Sequence, residues 1–158
     1  MNILVTVGSS PFESLIKAVD LQLSNTEFTL TCQIATGTYQ TRAHSFLRFS
    51  DQFPRLIEQA DVVITHGGAA TVFELLEIVK QTGKKVLLVP NLDRIDQHQQ
   101  DLAHFVERNH YAGVCWSLER LSASVRECIG QTFKPYQKDS FFMADNILTY
   151  FGISSIST

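Results

Sequence analysis

Apolar positions along the chain alternate between two patterns. Continuous runs occur at Ile3 to Val7, Val62-Val63-Ile64 and Val86-Leu87-Leu88-Val89, as expected of strands covered on both faces in a parallel sheet. Between them the spacing becomes helical: Phe12, Leu15, Ile16, Val19 and Leu23; then Val72, Leu75, Leu76 and Val79; then Leu102, Phe105 and Val106. Phe28 to Ala35, Ser45 to Phe49 and Val114-Cys115-Trp116 supply three further strand patterns. Phe53, Leu56, Ile57 and Ala60 mark a short helix with Pro54 in its first turn. Leu118, Leu121, Val125 and Cys128 mark a helix behind the last strand. In the tail after Lys134-Pro135-Tyr136, Phe141, Ala144, Leu148 and Phe151 again keep helical spacing. The expected fold is α/β: a single Rossmann-like, doubly wound parallel sheet over residues 1–158, closed by a C-terminal helix within residues 133–158. That tail carries enough apolar surface to pack back on the domain and to serve a partner subunit or, when the chain is alone, a second copy.

The other elements are arranged around Asp61 to Glu74, where a buried strand runs through Gly67-Gly68 into a helix. Two glycines let the backbone come close to a ligand, and the free N–H groups of the helix's first turn make an anion site above it. His66 and Thr71 flank that turn with donors. Glu74 lies off the apolar stripe, placed to accept from hydroxyls such as those of a ribose. A plain strand-to-helix connection is the alternative at this turn. Gly8-Ser9-Ser10 forms a second glycine-hydroxyl loop after a strand, and in a parallel sheet both loops open on the same edge; Ser9 or Ser10 as a helix N-cap is the alternative there. Asn91 to Gln100, with Asp93, Asp96, Gln97, His98, Gln99 and Gln100, follows a strand and joins that edge with hydroxyl-recognising groups, unless it is simply a solvated loop. Asp93, Asp96 and His98 match no standard metal-ligand spacing.

Composition narrows the function classes. The chain has 158 residues, 44% apolar and 18% charged, with a net charge of −3, so one ordinary globular domain is expected and nucleic acid is not an expected partner. Cys32, Cys115 and Cys128 form no CxxC pair and suggest neither a disulfide framework nor a zinc site, which fits a cytoplasmic setting. The N-terminus opens on a strand pattern without signal-peptide features, and no apolar run approaches the length of a membrane span. Thr82-Gly83-Lys84-Lys85 ends a helix where a P-loop would start one. After the first strand, Gly8-Ser9-Ser10-Pro11-Phe12-Glu13 departs from the GxGxxG of dinucleotide folds.

Val5-Thr6-Val7-Gly8, Ala60 to Thr71 with Glu74, Val89-Pro90-Asn91, and His98-Gln99 before Leu102-Ala103 together resemble, in order and spacing, the nucleotide-sugar-binding C-terminal half of GT-B glycosyltransferases of family 28. The resemblance runs from the first residues to about Ala103. Ala70 stands where the family commonly has glycine. With room for only one of the two GT-B domains, the chain is similar to the small soluble subunits of split glycosyltransferases. Those of bacterial capsule and exopolysaccharide synthesis are nearest, and the cytosolic subunit of the eukaryotic dolichol-linked N-acetylglucosaminyltransferase is akin.

The resemblance implies a UDP-sugar-dependent hexosyltransferase subunit. His66, Gly67, Gly68, Ala69 and Thr71 would hold the diphosphate with Gly8 and Ser9 across from them; Glu74 would take the ribose hydroxyls, and His98 and Gln99 would face the sugar or its adjacent phosphate. It further implies inversion at the anomeric carbon without a metal or other cofactor, no DxD motif being present. A membrane-associated partner would supply the acceptor half, a lipid-linked saccharide acceptor and the general base, holding this chain at the cytoplasmic membrane face. The competing expectations are a non-catalytic nucleotide or nucleotide-sugar-binding regulatory module and a stand-alone hydrolase or epimerase. The latter would need a second carboxylate near the site, which the sequence does not offer.

Overall fold

The computed structural model describes residues 1–24, 26–41, 45–93 and 97–137. Its strands are β1 (Asn2–Thr6), β2 (Thr29–Gln33), β3 (Ser45–Leu47), β4 (Val62–His66), β5 (Lys85–Val89) and β6 (Gly113–Val114). The helices are α1 (Glu13–Leu23), α2 (Phe53–Gln59), α3 (Ala69–Thr82), α4 (His98–Arg108) and α5 (Leu121–Gly130), the last preceded by a 3-10 turn at Leu118–Arg120. All strand pairs are parallel, in the order β3-β2-β1-β4-β5-β6. The doubly wound parallel sheet expected from the hydrophobic pattern is therefore present.

Side chains alternate across the sheet and create two cores. Ile3, Val5, Ile64 and Leu87 face the layer built from α1 and α5, where Leu15, Val19, Leu121 and Val125 are buried. Leu4, Val63, Val86 and Leu88 face the opposite layer, closed by Ile57 of α2, Leu75 and Leu76 of α3 and Val106 of α4. Continuous apolar runs in β4 and β5 are explained by this two-sided cover. Gly83 ends α3 in the left-handed conformation, φ 69°, where its N–H closes on the Val79 carbonyl. Only glycine adopts that conformation without strain, so the Thr82-Gly83-Lys84-Lys85 stretch is a helix stop.

Several boundaries are shorter than the pattern suggested. The second strand ends at Gln33 and the third at Leu47, and the sixth is reduced to Gly113–Val114, leaving Cys115 and Trp116 beyond it. Ile34, Ala35 and Cys115 lie just past these ends, buried, and each still donates one backbone hydrogen bond to the neighbouring strand or the residue after it, to Leu47, Arg48 and Leu88, so single bonds continue where the regular ladder stops. The N-cap position of α1 is Phe12, without a side-chain cap, so neither Ser9 nor Ser10 caps it. The C-terminal helix expected around Phe141 to Phe151, and Asp96, lie outside the described residues. Among the described residues no helix is long and apolar enough to cross a membrane.

Candidate functional site

Reversal of strand order at β1 puts the loops after β1 and β4 side by side at the carboxyl edge of the sheet, the crevice where open α/β sheets bind ligands. The register pairs Thr6 with both Gln33 and Thr65. All three are buried, at 0%, 4% and 0% exposure, so a polar row crosses β2, β1 and β4 directly beneath that crevice. Buried polar side chains need partners. The Thr6 hydroxyl donates to Gln33 Oε1 at 2.7 Å and accepts from the Gly8 N–H at 3.3 Å, while Gln33 Nε2 donates to the Gly8 carbonyl at 2.9 Å. Both polar groups of Gly8 are thus held, in a left-handed conformation of φ 65° that favours glycine.

The His66 imidazole fills the space between the two loops. A Cβ built on Gly8 would lie 2.4 Å from its Cε1, and one built on Gly68 would lie 2.3 Å from its Nε2. The two glycines are required by one ring. Gly67 is required by another contact, since its Cβ would meet the Gln99 Cβ at 2.6 Å. Gln99 Oε1 accepts from the Gly67 N–H at 3.2 Å and the Asn91 N–H at 2.9 Å, so one carboxamide oxygen joins the β4–α3 turn to the β5–α4 loop. Asp93 accepts from Ser14 at 3.4 Å, tying that loop to α1.

Gly68 occupies the N-cap of α3 and offers no side chain to it, and the first turn of α3 carries no acidic residue. Its N–H groups and the positive end of the helix dipole are left for an anion. Beside this turn lies a cleft of about 360 Å³ lined by Thr6, Gly8, Ser9, Gln33, Thr71 and Glu74, with Phe49, Ser50, Asp51 and Phe53 on its far wall. Glu74 is exposed on α3, one turn past Thr71. The arrangement combines an uncapped helix start able to seat an anion, an exposed carboxylate able to accept from hydroxyls, and a wall that carries two aromatic rings.

Of the residues singled out in the sequence, Gly8, Ser9, Thr71 and Glu74 line this cleft. His66, Gly67, Gly68 and Ala69 form the adjoining turn and helix start. Gln99 is buried, is tied to the turn and to the β5–α4 loop through its oxygen, and does not line the cleft. His98 is the exposed first residue of α4 and does not line the cleft. Thr6, Gln33 and the wall from Phe49 to Phe53 were missed; that wall brings Asp51 into the cleft with Glu74, a second carboxylate that the sequence was not expected to offer. Gln33 falls in phase with Thr29 and Thr31 on the polar face of β2, so the alternation gave no sign that this one of the three is buried. None of the three cysteines lines the cleft. Burial pushes the Cys32 thiol up to about 12 and that of Cys128 up to about 11, which leaves both protonated and inert at neutral pH.

Residues 2–146 match the family model of the glycosyltransferase family 28 C-terminal domain. Over 142 residues the chain is 29% identical to the human (Homo sapiens) UDP-N-acetylglucosamine transferase subunit ALG13, covering 82% of this chain and 12% of that protein. It is 35% identical over 78 residues to the UDP-N-acetylglucosamine–N-acetylmuramyl-(pentapeptide) pyrophosphoryl-undecaprenol N-acetylglucosamine transferase of Opitutus terrae, covering 49% of this chain and 20% of the relative. The chain therefore spans only a minor part of both. Its fold is similar to that of Acinetobacter baumannii MurG, with a TM-score of 0.64 at 20% identity over 82% of this chain and 43% of the other.

Proposed function

The chain belongs to the glycosyltransferase family 28 C-terminal domain family, and on that ground we propose that it is the donor-binding subunit of an inverting transferase that uses UDP-N-acetylglucosamine. The observation that carries this reading is the cleft itself. Gly8, Ser9, Thr71 and Glu74 converge there beside an uncapped helix start, at the switch point of the sheet. The diphosphate sits on the His66–Thr71 turn opposite Gly8 and Ser9, the ribose hydroxyls donate to Glu74, and the base lies against Phe49. His98 and Gln99 lie outside the cleft itself, and on this reading they meet the sugar or its adjacent phosphate where the donor extends beyond it. Both curated relatives are named for N-acetylglucosamine transfer, which supports that sugar.

An acceptor hydroxyl attacks the anomeric carbon from the face opposite the diphosphate. The new C–O bond forms as the bond to the diphosphate oxygen breaks, and UDP leaves with its charge stabilised by the α3 N–H groups and dipole. The acceptor's proton passes to a base on a partner subunit. The human relative is named a subunit, and the bacterial relative acts on an undecaprenol-linked acceptor. These names support a membrane-associated acceptor-binding partner and a lipid-linked saccharide. The full reading places the chain at the cytoplasmic membrane face in capsule or exopolysaccharide synthesis.

The test is transfer of labelled N-acetylglucosamine from its UDP donor to extracted lipid, using this chain, membranes carrying the partner, or both. Transfer is expected only from the combination, with UDP-glucose and UDP-galactose competing poorly. Transfer by the membranes alone would contradict the reading, and UDP binding without transfer in any combination would favour a non-catalytic module.

A further inference from the structure

Gln33 joins two walls of the cleft that are distant in sequence. Its Nε2 donates to the carbonyl of Gly8 at 2.9 Å, on the phosphate side, and to that of Arg48 at 2.7 Å, the residue before Phe49 on the base side. Its Oε1 is occupied by the Thr6 hydroxyl at 2.7 Å, so the carboxamide cannot rotate without losing all three bonds. The base-side wall is also held by the Arg48 guanidinium, which donates to the Gly37 carbonyl at 3.0 Å, and by Phe53, which packs against the core, but among the described residues neither contact runs to the Gly8 loop. It follows β3, an edge strand of three residues with no buried side chain, and two backbone bonds, from Ile34 to Leu47 and from Ala35 to Arg48, attach it to the end of β2. Neither of these reaches the Gly8 loop. Among the described residues, Gln33 is the side chain whose hydrogen bonds join the two walls directly.

We infer that Gln33 is a positioning residue that sets the span between the Gly8 loop and the Phe49–Ser50 wall, and thereby the preference of the site for one nucleobase over another. The inference rests on the donor-site reading above. A diphosphate anchored at α3 and Gly8 presents its base at a distance fixed by the nucleotide. The wall discriminates a pyrimidine from a larger purine only if its own distance from Gly8 is fixed too. Gln33, only 4% exposed at the floor of the cleft, provides that fixed distance without needing to touch the base.

The experiment is calorimetric titration of the full chain and of Gln33→Met with UDP and ADP. The methionine keeps the length of the side chain and removes both donors. UDP affinity is expected to fall about tenfold or more, and the ratio of UDP to ADP affinity to fall by about the same factor. Loss of stability or of phosphate contact alone would lower both affinities and leave the ratio unchanged. Gln33→Asn, which keeps the amide but lacks the reach, is the second variant, with the same collapse expected. An unchanged ratio in either folded variant overturns the inference while the donor reading stands; a native chain with no preference between UDP and ADP overturns both.

Discussion

Replacing Gly68 with alanine is expected to weaken UDP binding by on the order of 100-fold while the chain stays folded. Gly68 has φ −72° and ψ 117°, a conformation any residue adopts, so backbone strain does not decide the outcome. Space decides it. The added Cβ would stand 2.3 Å from Nε2 and 2.7 Å from Cε1 of His66, and the ring has no room to retreat because Gly8 closes its other side. Either the imidazole leaves or the start of α3 shifts, and both disturb the N–H groups proposed to hold the diphosphate. Each charge-assisted hydrogen bond lost is worth about 1.5–3 kcal/mol, and two of them account for the loss. Titration with UDP, with circular dichroism as the check on folding, measures it. Affinity within a few-fold of the native chain would mean that the diphosphate does not sit on this turn.

Leu76→Ala is expected to lower the unfolding free energy by about 2–5 kcal/mol. Leu76 is fully buried in the core that also holds Val63, Val86 and Leu88 of the sheet, so truncation leaves a cavity beneath α3, the helix that carries Thr71 and Glu74. A domain of this size has only about 5–15 kcal/mol of stability, so a large part is removed. The two effects are linked. A ligand that binds only the native state at 100 times its Kd returns about 2.7 kcal/mol, so saturating UDP should recover much of the loss in urea denaturation of the variant. A destabilisation under about 1 kcal/mol would show that α3 is held by other contacts.

What the sequence made legible follows from which forces act locally. Val62 to Ile64, Val86 to Val89 and the α3 stripe are patterned by burial, and burial is written into residue type, so sheet and helices were readable in order. Gly8, Gly67 and Gly68 were readable as close-approach positions, although not the reason for each: His66 excludes a side chain at two of them and Gln99 at the third. Glu74 was readable because it departs from the apolar face of its own helix. The base-side wall was not, because Phe49 to Phe53 become part of the site only through the placement of β3 at the sheet edge, a long-range fact with no local signature. Gln99 was assigned to the sugar or its adjacent phosphate, and the structure adds that its oxygen accepts from Gly67 and Asn91. Side-chain type indicated the edge it serves, but not how its hydrogen-bonding capacity is divided.

The most direct measurement is calorimetric titration of the native chain and of Glu74→Ala with UDP, ATP, NAD and inorganic pyrophosphate. Glu74 is exposed and lines the cleft beyond Thr71, so its removal costs no core packing and leaves the helix start intact. UDP should bind in preference to ATP and NAD, and the variant should lose about tenfold or more in UDP affinity, as expected for a ribose hydroxyl deprived of a carboxylate acceptor, with pyrophosphate binding unchanged. Equal UDP affinity in the native and variant chains, or no preference for UDP, would contradict the account.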